Sequence, residues 1–111
     1  MILGPMGALG NIPRILEYNV EWVSQLLAYM QAKKLSRVEA SSKSVEAWMD
    51  VVKAASVGLL ANDVDSWMTG VNKNVEGKSV RVLARYGGSG PEFRARCDAV
   101  AAGGYVELDL T

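Results

Sequence analysis

Apolar positions recur with a helical period from Ile12 to about Lys34. Ile12, Ile15, Leu16, Val20, Val23, Leu26, Leu27 and Met30 fall on one side of a 3.6-residue repeat. Asn11 precedes the run as a cap, Pro13 suits its first turn, and Lys33 and Lys34 lie at its negative end. The spacing predicts the longest helix of the chain. A second helix is expected over residues 43–58, with Val45, Trp48, Met49 and Val52 on one face and Gly58 near its end. A third is expected after "GGSG", with Pro91 in its first turn and Gly103-Gly104 as its stop. "MIL" (1–3), "SRVEA" (36–40), "SVRVLARY" (79–86) and "YVELDL" (105–110) read as short strands. The pattern predicts an α/β fold class, three helices with short strands, in a single unit over residues 1–111.

Two loops break this pattern. "GPMGALGN" (4–11) holds three glycines and a proline, which points to unusual backbone angles. "DVDSWMTGVNKNVEGK" (63–78) sets Trp67 beside acids and then passes through Gly70, Asn72, Asn74 and Gly77. Such a run is too rich in turn-formers to build core, yet it carries a large apolar group. Both loops are expected to contact something outside the chain.

Composition narrows the chemistry. With 111 residues the chain suffices for one domain with a modest core. Twelve basic and twelve acidic residues cancel, leaving no field for nucleic acid or an anionic membrane. There is no histidine and a single cysteine, Cys97, so a zinc site and histidine acid–base chemistry are excluded as readings. The lone cysteine suits a reducing compartment, no apolar run approaches a bilayer span, and the chain is expected to be cytoplasmic. Half of the residues are hydrophobic, which fits either a face that must be covered or a densely packed small domain.

Residues 1–16, read as strand, glycine-rich turn and helix start, form a site type suited to an anion or polarised carbonyl. They lack both the GxGxxG spacing and a P-loop GK[ST]. Trp67 suits stacking on a flat ligand, or pinning its own loop. Trp22 and Trp48 lie in helical patterns and read as core. Cys97 has no activating histidine and reads as structural. Arg81, Arg85, Arg94 and Arg96 read as a solvated face with acids nearby. No pair of carboxylates is placed for acid–base work.

Taken together, "MILGPMGALGNIP", "VEWV", "DSWMTGVNKNVEGK" and "RYGGSGPEFRARCDAVAAGGY" resemble the carboxyl-terminal part of the Baeyer–Villiger monooxygenases, the class B flavoproteins of cyclohexanone and cyclopentadecanone monooxygenase type. The resemblance covers nearly the whole chain, in the family's order. It implies an enzyme that binds FAD, uses NADPH and oxygen, and inserts an oxygen atom beside a ketone carbonyl to give an ester or lactone. Residues 1–35 would then be the last strand, loop and helix of the FAD domain. Residues 36–111 would be the carboxyl-terminal segment, with 62–78 as the NADP-facing control loop. Leu9, Gly10 and Ile12 match substrate-pocket positions. Asn11 and Ile12 would face the flavin, and Trp67 and Asn72 the NADP.

The chain departs from the family in lacking both GxGxxG fingerprints, the histidine-containing signature and the arginine that stabilises the flavin peroxide. It is therefore expected to be a fragment, inactive alone, with no catalytic residue of its own. Its partners would be the FAD and NADP domains of the parent flavoprotein and a ketone, with self-association through an exposed apolar face. Leu9 stands where many relatives have an aromatic residue, and the loop is slightly longer than the "GANIPGK" form; both weakly favour a bulkier ketone. The alternative from another class is a stand-alone, non-catalytic α/β binding or protein-interaction module.

Overall fold

A computed structural model describes residues 11–66, 69–82 and 85–111. The expected strand at 1–3 lies outside them. The chain order is helix α1 (Ile12–Lys33), strand β1 (Val38–Ala40), helix α2 (Ser42–Ser56), a 3-10 turn (Leu60–Asp63), helix α3 (Gly90–Ala102) and strand β2 (Leu108–Leu110).

Local signals account for the helix ends. Asn11 Oδ1 accepts the Arg14 N–H at 3.1 Å, and Pro13 occupies the first turn of α1. Lys34 closes α1 in the left-handed region at φ 58°. Ser41 caps α2, and that helix stops at Ser56, two residues before the expected end. Ser89 and Glu92 form a reciprocal capping box at the start of α3.

The sheet is one antiparallel pair, with Val38 opposite Leu110, Glu39 opposite Asp109 and Ala40 opposite Leu108. The Thr111 carbonyl extends it by accepting the amides of Ser36 and Arg37, each at 2.7 Å. The expected strand over 79–86 is not formed among the described residues. Its V-R-V alternation is real, but Val80 and Val82 are 71% and 56% exposed, and among the described residues no strand pairs with the segment. The Val82 N–H, donated to the Thr69 carbonyl at 2.8 Å, and the Arg81 side chain, bonded to Asp65, tie it down. Alternation without a partner yields extended chain and no strand.

The core has two centres. Leu26, Met30 and Tyr105 are buried together, with Trp22, Tyr29, Leu35, Val100, Leu108 and Leu110 packed around them. Tyr105 sits at φ 60°, a region costly for a side chain with a Cβ, directly after Gly104 at φ 74°. Its ring contacts Trp22 edge-on at 5.5 Å and Tyr29 at 5.1 Å, contacts that offset the backbone cost. The second centre joins Trp48, buried Tyr86 and Phe93, with ring centroids 5.4–6.1 Å apart. Among the described residues only six hydrophobic side chains are buried, and Leu60, Val57 and Val106 are more than four-fifths exposed. The apolar half of the composition is not consumed by this core.

Candidate functional site

The amino end of α1 is the first of the two expected contact regions. Leu9 and Gly10 lie outside the described residues; Asn11 and Ile12 are exposed at the helix tip. The local bonding there is specific. Pro13 has no N–H, the Arg14 N–H is taken by Asn11 Oδ1, and the Ile15 N–H goes to the Asn11 carbonyl at 3.1 Å. No acidic residue stands in the first turn to neutralise the positive end of the dipole. The tip can offer a partial positive charge to an acceptor.

The second region is the loop after α2. Trp67 lies outside the described residues, but the turn around that position is closely bonded. Thr69 is buried; its Oγ1 accepts the Ser66 N–H at 3.1 Å and reaches the Val64 and Ser66 carbonyls at 2.9 and 3.0 Å. The amides of Thr69 and Val71 both return to the Ser66 carbonyl. Gly70 is required here twice over: φ is 74°, and a Cβ would stand 2.6 Å from Val82 Cγ2.

Asn72 organises the next turn. Its N–H donates to the Lys78 carbonyl at 2.8 Å, its Oδ1 accepts the Asn74 N–H at 3.0 Å, and its carbonyl accepts from Val75. A recess is lined by Gly70, Val71, Asn72, Val75 and Lys78; neither Asn11 nor Ile12 lines it. Asp65 pins the loop from outside, holding Arg81 Nε at 2.8 Å and Lys73 Nζ at 3.5 Å. The hydrogen bond and charge of Arg81, seconded by Lys73, hold the Asp65 carboxyl below its ordinary value. Arg81 also donates to the Asn62 carbonyl, so it is a structural strut of the loop.

The lone thiol offers no nucleophile. Cys97 is half-buried, and burial pushes its pKa up. Its carbonyl accepts the Trp22 indole N–H at 2.8 Å. Among the described residues no three metal-ligating side chains gather, and no helix is long and apolar enough to cross a membrane.

A cross-link between α1 and α3 has no local signature in sequence. Tyr18 Oη lies 2.9 Å from Asp98 Oδ1 and 3.2 Å from the Arg94 carbonyl, while the Arg94 guanidinium covers its ring at 4.5 Å. Only the placing of Tyr18 beside the core stripe of α1 could have hinted at it.

No protein-family model matches the chain. Among curated proteins it is 33% identical to a phenazine N-monooxygenase of Lysobacter antibioticus over 95% of this chain and 19% of that protein. It is 31% identical to a Baeyer–Villiger monooxygenase of Pseudooceanicola batsensis over 97% of this chain and 19% of that protein. Among solved structures, cyclohexanone monooxygenase from a Rhodococcus species, bound to NADP+, matches with a TM-score of 0.80 at 27% identity, over 93% of this chain and 19% of that one. The chain thus spans about a fifth of the length of the relatives it matches. The match runs over more than nine-tenths of this chain, and the relatives and structural neighbours it resembles are Baeyer–Villiger and cyclohexanone monooxygenases, of which it matches one segment.

Proposed function

We propose that these residues serve as the carboxyl-terminal segment of an FAD- and NADPH-dependent monooxygenase that inserts an oxygen atom beside a ketone carbonyl, giving an ester or lactone. The reading is carried by one observation: more than nine-tenths of the chain matches enzymes about five times its length. In this reading residues 1–35 complete the FAD domain and 36–111 form the segment that faces NADP through the loop at 62–78. The enzyme would work in the cytoplasm.

The residues present fit these groups in part. The positive end of the α1 dipole, with no acid in its first turn, suits a polarised carbonyl such as the flavin ring carries. The bonded turn over 64–82 offers a built platform for a loop that meets a nucleotide. When bound, FAD supplies the oxygen-transfer chemistry and NADPH the reducing equivalents. The chain's own residues bind and position. Asn11 holds the first turn of α1 in shape, Leu9, Gly10 and Ile12 wall the ketone pocket and keep water out, Trp67 offers its indole N–H to NADP, and Asn72 fixes the turn behind it. None of them is an acid, base or nucleophile.

The test is a graft. These 111 residues replace the matching segment of the Rhodococcus enzyme, and FAD content and ketone-dependent NADPH oxidation are measured. A yellow, ketone-oxidising chimera is expected, with the isolated chain colourless and inactive. A folded, FAD-loaded chimera without ketone turnover would count against the proposal, as would oxidation by the chain alone.

A further inference from the structure

An open cavity of about 260 Å³ lies where α1, β1, α2, α3 and β2 converge. Trp22, Trp48 and Phe93 are three of its walls, and Val45, Val100 and Leu108 complete an apolar interior. We propose that it binds a small, flat, uncharged ring compound of one or two fused rings that carries a hydrogen-bond acceptor.

Three features support this class. The walls are preformed: the Trp22 indole is tied to the Cys97 carbonyl at 2.8 Å and packed on Tyr105, and Trp48 is held by Tyr86 and Phe93, so neither indole is free to turn in and fill the space. The size fits, since an apolar cavity of roughly 150 Å³ takes benzene, and this one has room for a second ring. The polar groups stand at its edge. Arg96 and Glu107 are exposed there with opposite charges, so neither an anion nor a cation is favoured at the mouth, while Arg96 and the Ser44 hydroxyl can donate to an acceptor atom. The inference does not depend on the flavoenzyme reading, because neither Asn11 and Ile12, placed toward the flavin, nor Asn72, placed toward NADP, lines the cavity.

Quinoline, neutral at pH 7.5, is the probe, titrated into the 111-residue chain with amide and indole N–H shifts followed by NMR. Saturable one-to-one binding is expected, with Kd on the order of 0.1–1 mM. The largest shifts should fall on the Trp22 and Trp48 indoles, Val45 and Leu108. Val45→Phe and Ala40→Leu each fill the space from an exposed position and should weaken binding at least tenfold with the fold retained by circular dichroism. Absence of saturation to about 10 mM, or unchanged affinity in either folded variant, would overturn the proposal.

Discussion

Tyr18 on α1 donates to Asp98 on α3 across 80 residues of sequence, and the Arg94 guanidinium closes over the same ring. The three groups join the helix whose tip carries Asn11 and Ile12 to the helix that backs the apolar cavity. Position at one end is thereby linked to packing at the other.

Removing that hydroxyl should be felt in stability. Tyr18→Phe is expected to cost about 1 kcal/mol, the ordinary net worth of such a bond, with Asp98 still reachable by water. Urea titration of the two proteins measures it; equal midpoints would show that the clasp carries nothing. The pH dependence has a definite sign. Burial, then the bond to Asp98, raises the Tyr18 pKa above its ordinary value. The folded state holds this proton more tightly than the unfolded one, so the contribution is intact below about pH 10 and declines as pH rises beyond it. Tyr18→Phe should show a shallower alkaline decline, the remainder being due in part to Cys97, whose pKa is raised as well.

Tyr105 carries the main core at the expense of its own backbone. Tyr105→Ala removes the ring contacts to Trp22 and Tyr29 and should cost about 3–5 kcal/mol, with loss of the near-ultraviolet signal of Trp22. Survival of that signal with a small loss of stability would place the core elsewhere.

Asp65 gives the loop an acid-sensitive fastening. Its pKa is lowered by Arg81, so the contribution is present above the ordinary aspartate value and fades as pH falls through the lowered one. Asp65→Asn should abolish this dependence and speed hydrogen exchange at Thr69 and Val71. Identical exchange in both proteins would make the Asp65–Arg81 pair incidental.

In the grafted enzyme, Trp67→Ala should raise the KM for NADPH at least tenfold while shifting Tm little. An unchanged KM with a loss of several kcal/mol in stability would make Trp67 a core residue. Substitutions at Leu9 and Ile12 should alter ketone preference; an unaltered profile would remove both from the pocket.

The exposed apolar side chains predict association of the isolated chain. Sedimentation should show mass rising with protein concentration, more so at high salt, since Val57, Leu60 and Val106 are open and the net charge is zero. A concentration-independent monomer would argue that this surface is tolerated as it stands.

Helices were legible in the sequence because their signals are local. Asn11, Ser89 with Glu92, and the Gly103-Gly104 stop act within a few residues of the ends they set. The segment 79–86 misled because alternation reports a two-faced strand only where another strand pairs with it, and none does among the described residues. Gly70, Asn72, Asn74 and Gly77 read as turn-formers, but nothing local said that the buried Thr69 hydroxyl would bind the turn together. The Tyr18–Asp98 contact and the cavity between five elements depend on distant segments meeting, which no local pattern encodes. Leu9, Gly10 and Trp67 lie outside the described residues, so their roles rest on the family resemblance.

The pairing of Val38 with Leu110 and of Ala40 with Leu108 also sets an order of events during synthesis. Ribosomes add about 5–20 residues per second, so β1 emerges several seconds before its only described mate exists. Until then α1 has nothing at its far end to close against, and its apolar stripe is open to chaperones or to a neighbouring nascent polypeptide. Shortening the delay by circular permutation that places 105–111 ahead of residue 36 should raise the soluble yield.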